Sequence, residues 1–386
     1  MSKTFKTFIK HTAKDYHNQS VNPPIVRAST IIFKSMQDIR KMQDKAKKDP
    51  TGGHFDYGRQ GTSTTHILSQ ILKEIEEAYH VFLTPTGFGA VFLSIFSVLR
   101  PGDEIIVADP TYSPTRSLTQ DFLKEFNIKS TFYNPHDLKT LEKSITKKTK
   151  LIFVENPGSN TFDFQDLGKI VSIAKKNKVL TAIDNTWGTP YFLKPIKLGF
   201  DMSIVSATKY YSGHSDVMGG TLAVNKKVFK QVEKANRVTG LRLGPDDAYL
   251  ITRGLRTLDI RLDKHEKNAK KISEFLSKYQ KIKLLYPYKK DSLNFRMWKK
   301  YYSGASGLMG IMIKSKNKSS VIKFVNSLKL FGYGYSWGGF ESLALYQDKR
   351  EQGNRQYLKL ANDEHLVRLH IGLEDPKDLI EDLKKS

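Results

Sequence analysis

The chain has 386 residues, of which 39% are hydrophobic and 11% aromatic, so it can bury a large core over two or three domains. It has no cysteine, which excludes disulfides, thiolate metal sites and a cysteine nucleophile. The net charge of +24 is spread as short pairs such as Lys147-Lys148 and Lys175-Lys176, with no basic stripe interleaved with aromatics, so no nucleic-acid partner is expected.

Residues 1 to about 50 read as an arm. Pro23-Pro24 forces extended backbone, and Ser35 to Lys48 is a polar helix. The start, Met1 to Lys6, lacks the apolar run of a secretion signal, which sets the expectation of a cytoplasmic protein. Such an arm has little of its own to pack on and is expected to contact a neighbouring subunit. A loop with four glycines follows, Thr51 to Thr62, and it presents Tyr57 and Arg59 close together. The planar fork of an arginine suits a phosphate.

A helix is predicted from Thr65 to Ala78 and a strand over Val81 to Thr84. Thr86-Gly87-Phe88-Gly89-Ala90 then opens a helix through Leu99. Free backbone N–H groups and the positive dipole end make that terminus an anion site. The spacing is neither a dinucleotide fingerprint nor a Walker loop. Ala90 to Leu99 is also the longest apolar stretch, well short of the ~20 residues that span a bilayer, so no membrane role is expected.

Strands follow at Glu104 to Ala108, Lys150 to Val154 and Val179 to Ile183, with a helix from Asp166 to Asn177 before the last. This alternation argues for an α/β fold with a mostly parallel central sheet and helices on both faces. Ligands then bind at the carboxyl ends of the strands. Tyr112 and Asp184 stand at two such ends. A tyrosine there could stack on a flat ring or serve the rim. An aspartate could pair with a ring nitrogen or cap a helix.

Met202 to Val205 is a further strand. It runs into Ser206-Ala207-Thr208-Lys209, before another strand from Thr221 to Val224. Desolvation on such a loop would lower the lysine pKa and free an amine for a Schiff base with a carbonyl cofactor. A surface lysine is the plainer reading. A long helix from Tyr249 to about Tyr279 would lead into an α+β region. There Gly310 to Ile313 is a strand, Tyr335 to Glu341 forms a polar cluster, and Arg368 interrupts an apolar strand, His365 to Ile371. A buried arginine needs an anion, from a substrate or from an ion pair.

Tyr57-Gly58-Arg59, Thr86 to Ala90, Asp109 to Tyr112, Asp184-Asn185-Thr186, Ser206 to Tyr210 and Arg368 together resemble the Cys/Met-metabolism family of pyridoxal-phosphate (PLP) enzymes. Tyr335 to Gly339 and Leu366 to Asp375 are most similar to its bacterial cystathionine-cleaving β-lyase branch. The resemblance spans Tyr57 to Asp375. It implies the fold type I architecture of aspartate aminotransferase, with an arm (1–55), a large PLP-binding domain (56–250) and a smaller α+β domain (251–386). It implies that Lys209 carries PLP as a Schiff base, that Asp184 pairs with the ring nitrogen and that Tyr112 stacks on the ring. Gly87, Phe88, Ser206 and Thr208 would hold the phosphate, joined by Tyr57 and Arg59 from a neighbouring subunit. Arg368, with Ser336 and Trp337, would bind the substrate carboxylate, beside Tyr57 and Tyr112.

The implied reaction is conversion of cystathionine and water to homocysteine, pyruvate and ammonia, a step towards methionine, in a homo-oligomer built as a dimer of dimers. Sister γ-lyase, γ-synthase and methionine γ-lyase reactions share these residues, and alanine racemisation would use the same groups. Two positions depart from the pattern. Ser159 stands where many members carry an asparagine, and Arg237 where β-lyases carry a tyrosine. From other classes, Ser206-x-x-Lys209 matches a β-lactamase motif but lacks its companions. His265-Glu266 lacks the second histidine that a metal helix needs, so no metal is expected.

Overall fold

The computed structural model describes residues 4–12, 19–288, 292–347, 355–357 and 359–386. Part of the predicted arm, 13–18, lies outside them. Among the described residues eleven strands, named here in chain order, form two sheets. The first seven are β1 (His80–Thr84), β2 (Glu104–Ala108), β3 (Lys129–Tyr133), β4 (Thr149–Glu155), β5 (Leu180–Asp184), β6 (Met202–Val205) and β7 (Gly220–Val224). The remainder are β8 (Ile282–Leu285), β9 (Leu308–Lys314), β10 (Leu343–Gln347) and β11 (Glu364–His370).

The large sheet has the order β1-β7-β6-β5-β4-β2-β3. Its neighbours from β3 to β6 are parallel, and β7 runs antiparallel to both β1 and β6. The small sheet, β10-β11-β9-β8, is antiparallel throughout. This is the mostly parallel α/β sheet with a smaller α+β part that the sequence predicts. Val107, Ile152, Phe153, Ile183 and Ile204 are fully buried, as expected for strands covered on both faces. Both sheets share one continuous core, which includes Ile106 and Val154 of the first and Val367 and Leu369 of the second.

Three strands escaped the sequence reading: β3, β8 and β10. The sequence of β3, Lys-Ser-Thr-Phe-Tyr, is polar at its start because it is an edge strand with one exposed end. The long helix predicted from Tyr249 is two helices, Pro245–Leu255 and Leu258–Leu276. The break has a physical cause. The Arg261 guanidinium turns back and donates to the carbonyls of Gly254 and Tyr210, both at 2.7 Å, so a carbonyl at the end of the first helix is satisfied from the second. The same bonds fasten the loop that carries Lys209.

The helix before β1 spans Ser63–Glu76 and ends where Glu77 takes a left-handed backbone, φ 52°. Its last residue, Glu76, is 1% exposed and accepts hydrogen bonds from Tyr211 (3.0 Å) and Ser203 (3.4 Å). Burial pushes this carboxyl up to about 7. A carboxyl that holds its proton more tightly when folded favours the fold at low pH, and that contribution fades as pH rises through its folded pKa. Glu76→Gln should therefore gain up to about 3 kcal/mol over the parent protein between about pH 4.5 and 7. Denaturant melts of both proteins across that range check this, and parallel pH profiles would refute it.

Candidate active site

The parallel strands bring four chain segments to one sheet edge. Glu155, at the end of β4, is in register with Asp184, at the end of β5, and Asp184 with Ile204 of β6. Just beyond β6 lie Ser206, Thr208 and Lys209. Just beyond β1 lies Thr86, the N-cap of helix Gly87–Phe96. The Thr86 hydroxyl accepts from the Gly89 N–H at 2.9 Å, and the N–H groups of Gly87 and Phe88 fall in the first turn, where a helix offers no carbonyl partner.

Hydrogen bonds tie these segments together. The Thr186 backbone and hydroxyl both donate to Asp184 Oδ1, at 2.9 and 2.6 Å. The Thr186 hydroxyl oxygen in turn accepts from the Ser206 N–H at 2.9 Å. The Thr208 hydroxyl exchanges two bonds with the Gly219 backbone, donating at 3.2 Å and accepting at 3.0 Å. Gly87 sits so close to Ser206 that a Cβ there would lie 2.4 Å from the Ser206 hydroxyl. Only glycine fits this approach.

Lys209 is half-buried, and its Nζ donates to the Ser336 hydroxyl at 2.5 Å. The amine also lies 5.4 Å from the centre of the Trp337 ring. Burial first, then the charge of Arg368, lowers its pKa to about 8, against the opposite pull of Asp184. Arg368 is half-buried on β11 and donates to the Ser336 carbonyl at 3.0 Å. Ser336 holds a left-handed backbone, φ 78°, which a non-glycine residue adopts only when its surroundings impose it. Gly338 follows at φ 90°, and a Cβ there would lie 2.9 Å from the Lys209 backbone. Its N–H donates to His370 Nε2 at 3.1 Å, so His370 is the Nδ1–H tautomer, donating to the Glu341 carbonyl. Burial keeps this histidine neutral.

Tyr112 is 49% exposed at the rim, and its N–H donates to Glu155 at 2.6 Å. Burial of its inner part, then Glu155, raises the phenol pKa, so it is protonated at neutral pH. Asp184 is raised by burial as well, and Glu155 more strongly, by burial and then by Asp184 beside it. Of two adjacent carboxyls, Glu155 thus holds the proton more tightly.

The structure brings together Gly87, Phe88, Tyr112, Asp184, Ser206, Thr208, Lys209, Ser336, Trp337 and Arg368. It does not bring Tyr57 and Arg59 to them within one chain. Tyr57 is 47% exposed, and Arg59 donates to the Arg237 carbonyl at 3.3 Å. Ser159, at the position of departure, has its N–H on the Pro110 carbonyl at 2.6 Å. Its own carbonyl accepts from Arg355, a 6% exposed guanidinium that also donates to Thr161. Arg355 braces this rim, and nothing in its polar sequence surroundings marks it. Glu155 was readable only as a carboxylate at a strand's end.

This edge, with a half-buried lysine beside a helix terminus whose first N–H groups lack carbonyl partners, agrees with the comparisons to known proteins. The model of Cys/Met metabolism PLP-dependent enzymes matches residues 6–386. The chain belongs to this family. It is 35% identical to a cystathionine β-lyase of Bordetella avium, over 95% of this chain and 91% of that protein. It is 34% identical to an L-alanine/L-glutamate racemase of Wolbachia pipientis, over 95% and 92%. A cystathionine γ-synthase structure from Xanthomonas oryzae superposes with a TM-score of 0.90 at 28% identity, over 100% of this chain and 98% of the other.

PLP is therefore the cofactor, and the residues present fit it. The close approach that Gly87 allows puts the Ser206 hydroxyl beside the first N–H groups of the helix, where a phosphate would bind. Asp184 stands at the sheet edge for a ring nitrogen, and Lys209 supplies an amine of lowered pKa. Gly87→Ala should weaken PLP binding about tenfold or more, because the added methyl displaces Ser206. Titration of the apoenzyme with PLP, followed by absorbance, reads this directly. Unchanged affinity would put the phosphate elsewhere.

Proposed function

We propose that the chain is a carbon–sulfur β-lyase that cleaves L,L-cystathionine with water to homocysteine, pyruvate and ammonia. The observation that carries this reading is the turn at Ser336, whose hydroxyl holds the Lys209 amine while its carbonyl holds Arg368. An amino acid bound by its carboxylate at Arg368 would bring its Cα to Lys209. The 35% identity to a protein named cystathionine β-lyase supports β- over γ-cleavage.

Bound PLP supplies an electron sink for the pair left at Cα. Asp184, anchored by Thr186, would hold the ring nitrogen protonated through a charge-assisted bond. Gly87, Phe88, Ser206 and Thr208 would bind the phosphate, with Tyr112 at the ring. Lys209 Nζ takes the Cα proton, held in place by Ser336 and Trp337. Arg368 orients the substrate so that its Cβ–S bond can break, and the sulfur leaves as homocysteine. Water and the three-carbon remainder give pyruvate and ammonia. Tyr57 and Arg59, remote from Lys209 in their own chain, serve the site of a neighbouring subunit, which makes the working unit at least a dimer. The three-part division at 55 and 250, with tetramer assembly in the cytoplasm, completes this reading.

Lys209→Ala should abolish turnover yet still bind PLP; full activity in that variant would sink the assignment. Arg368→Ala should raise KM about a hundredfold, the scale of a lost charge-assisted carboxylate pair. The deciding assay is the keto acid and thiol formed from L-cystathionine. Pyruvate with homocysteine supports the β-lyase, 2-oxobutyrate with cysteine makes it a γ-lyase, and neither turns attention to synthase or racemase chemistry.

A further inference from the structure

The loop that carries Lys209 is held at two points by the residues that follow it. The Tyr210 carbonyl accepts from Arg261 at 2.7 Å, and the Tyr211 hydroxyl donates to Glu76, the last residue of the helix Ser63–Glu76. The backbone here turns tightly. The Gly213 N–H donates to the Lys209 carbonyl at 2.8 Å, and the Ser212 N–H to the Ala207 carbonyl at 3.0 Å. Lys209 and Tyr211 therefore share one short turn, and a shift at Tyr211 is passed to the lysine two residues before it.

The anchor at Glu76 is polar where packing alone would hold the fold. Glu76, Tyr211 and Ser203 are all buried, Glu76 Oε1 accepting from the Tyr211 hydroxyl at 3.0 Å and Oε2 from the Ser203 hydroxyl at 3.4 Å. Dehydrating a carboxyl costs stability, and here burial lifts its pKa to about 7. An apolar pair of similar shape would fill the space without that cost. What it would lose is direction: a hydrogen bond between two buried groups fixes where the Tyr211 ring stands, and apolar contact does so less tightly. The anchor is itself firm. Its helix is tied to β1 by the Ser69 hydroxyl, which donates to the Val81 carbonyl at 2.7 Å.

We propose that Glu76, acting through the Tyr211 hydroxyl, is a positioning residue for Lys209, fixing the turn so that the amine reaches the Ser336 hydroxyl. The inference rests on the role given to Lys209 in the reaction above. Glu76 bonds to Tyr211 and Ser203 rather than to the lysine, so its effect falls on where the amine stands. Binding of the substrate carboxylate, which belongs to Arg368, is left alone.

The test uses the PLP-loaded enzyme. Tyr211→Phe removes the hydrogen bond, and so does the double variant that adds Glu76→Met. The double variant leaves neither member of the pair buried and unpaired, so it keeps the fold even where the single variant does not. In both, kcat should fall about tenfold, the scale of one hydrogen bond, with KM changed less than about twofold. The visible absorbance of bound PLP titrates with the lysine nitrogen joined to it, and its pH midpoint should move by about 0.5 or more. Glu76→Gln keeps an oxygen for the Tyr211 hydroxyl and should hold the parent values of all three. Ser203→Ala, which removes the other bond to Glu76, should hold them too. A midpoint at the parent value in the double variant would overturn the proposal, whatever kcat does. Lys209→Ala tells that failure from a failure of the underlying reading: if the absorbance still titrates as in the parent there, the role of Lys209 itself falls.

Discussion

The Lys209 amine sits half-buried within the fields of one carboxylate, Asp184, and one guanidinium, Arg368. In water such charges would be screened, and the lysine would stay a cation. Here dehydration and Arg368 together outweigh the carboxylate and lower the amine's pKa to about 8. The rest of the molecule serves that balance. The large sheet delivers Asp184, the small sheet delivers Arg368, and the shared core fixes the distance between them. Arg261 pins the loop that carries Lys209, and Ser336, in its left-handed turn, joins Lys209 and Arg368 through one residue.

Much of this was legible in the sequence because the chemistry sits at strand ends. Lys209, Asp184 and the Gly87 turn follow short apolar runs whose burial is dictated by composition. Arg368 was visible because a charge interrupts an apolar strand. Arg355 and the Glu155–Asp184 pairing were not legible, since both depend on register and long-range packing. The split of the long helix was missed for a related reason: its cause, Arg261, acts through carbonyls of another segment. The distance of Tyr57 and Arg59 from Lys209 also came only with the coordinates, although the resemblance had assigned them to a neighbouring subunit.

The comparisons set a β-lyase, a racemase and a γ-synthase side by side with one chain. That spread follows from the physics of the site. In the proposed reaction Lys209, Asp184 and Arg368 act at Cα, the atom where these reactions begin alike. Tyr112 and the Ser159 segment stand at the rim beside these three residues. Those rim segments are held by backbone bonds and by Arg355, and their sequence carries little periodicity from which to read them.

The order of the large sheet has a consequence for how the molecule is made. β1 pairs only with β7, His80 opposite Val224, so nearly the whole sheet must be synthesised before the first strand finds its partner. Until then the apolar run Val81-Phe82-Leu83 is an exposed edge on a growing chain. Pairing between such distant segments is slow, and open edges invite association with other chains. The antiparallel strand that seals the sheet next to the lysine loop thus leaves the nascent chain vulnerable until late, a hazard that chaperones are suited to cover.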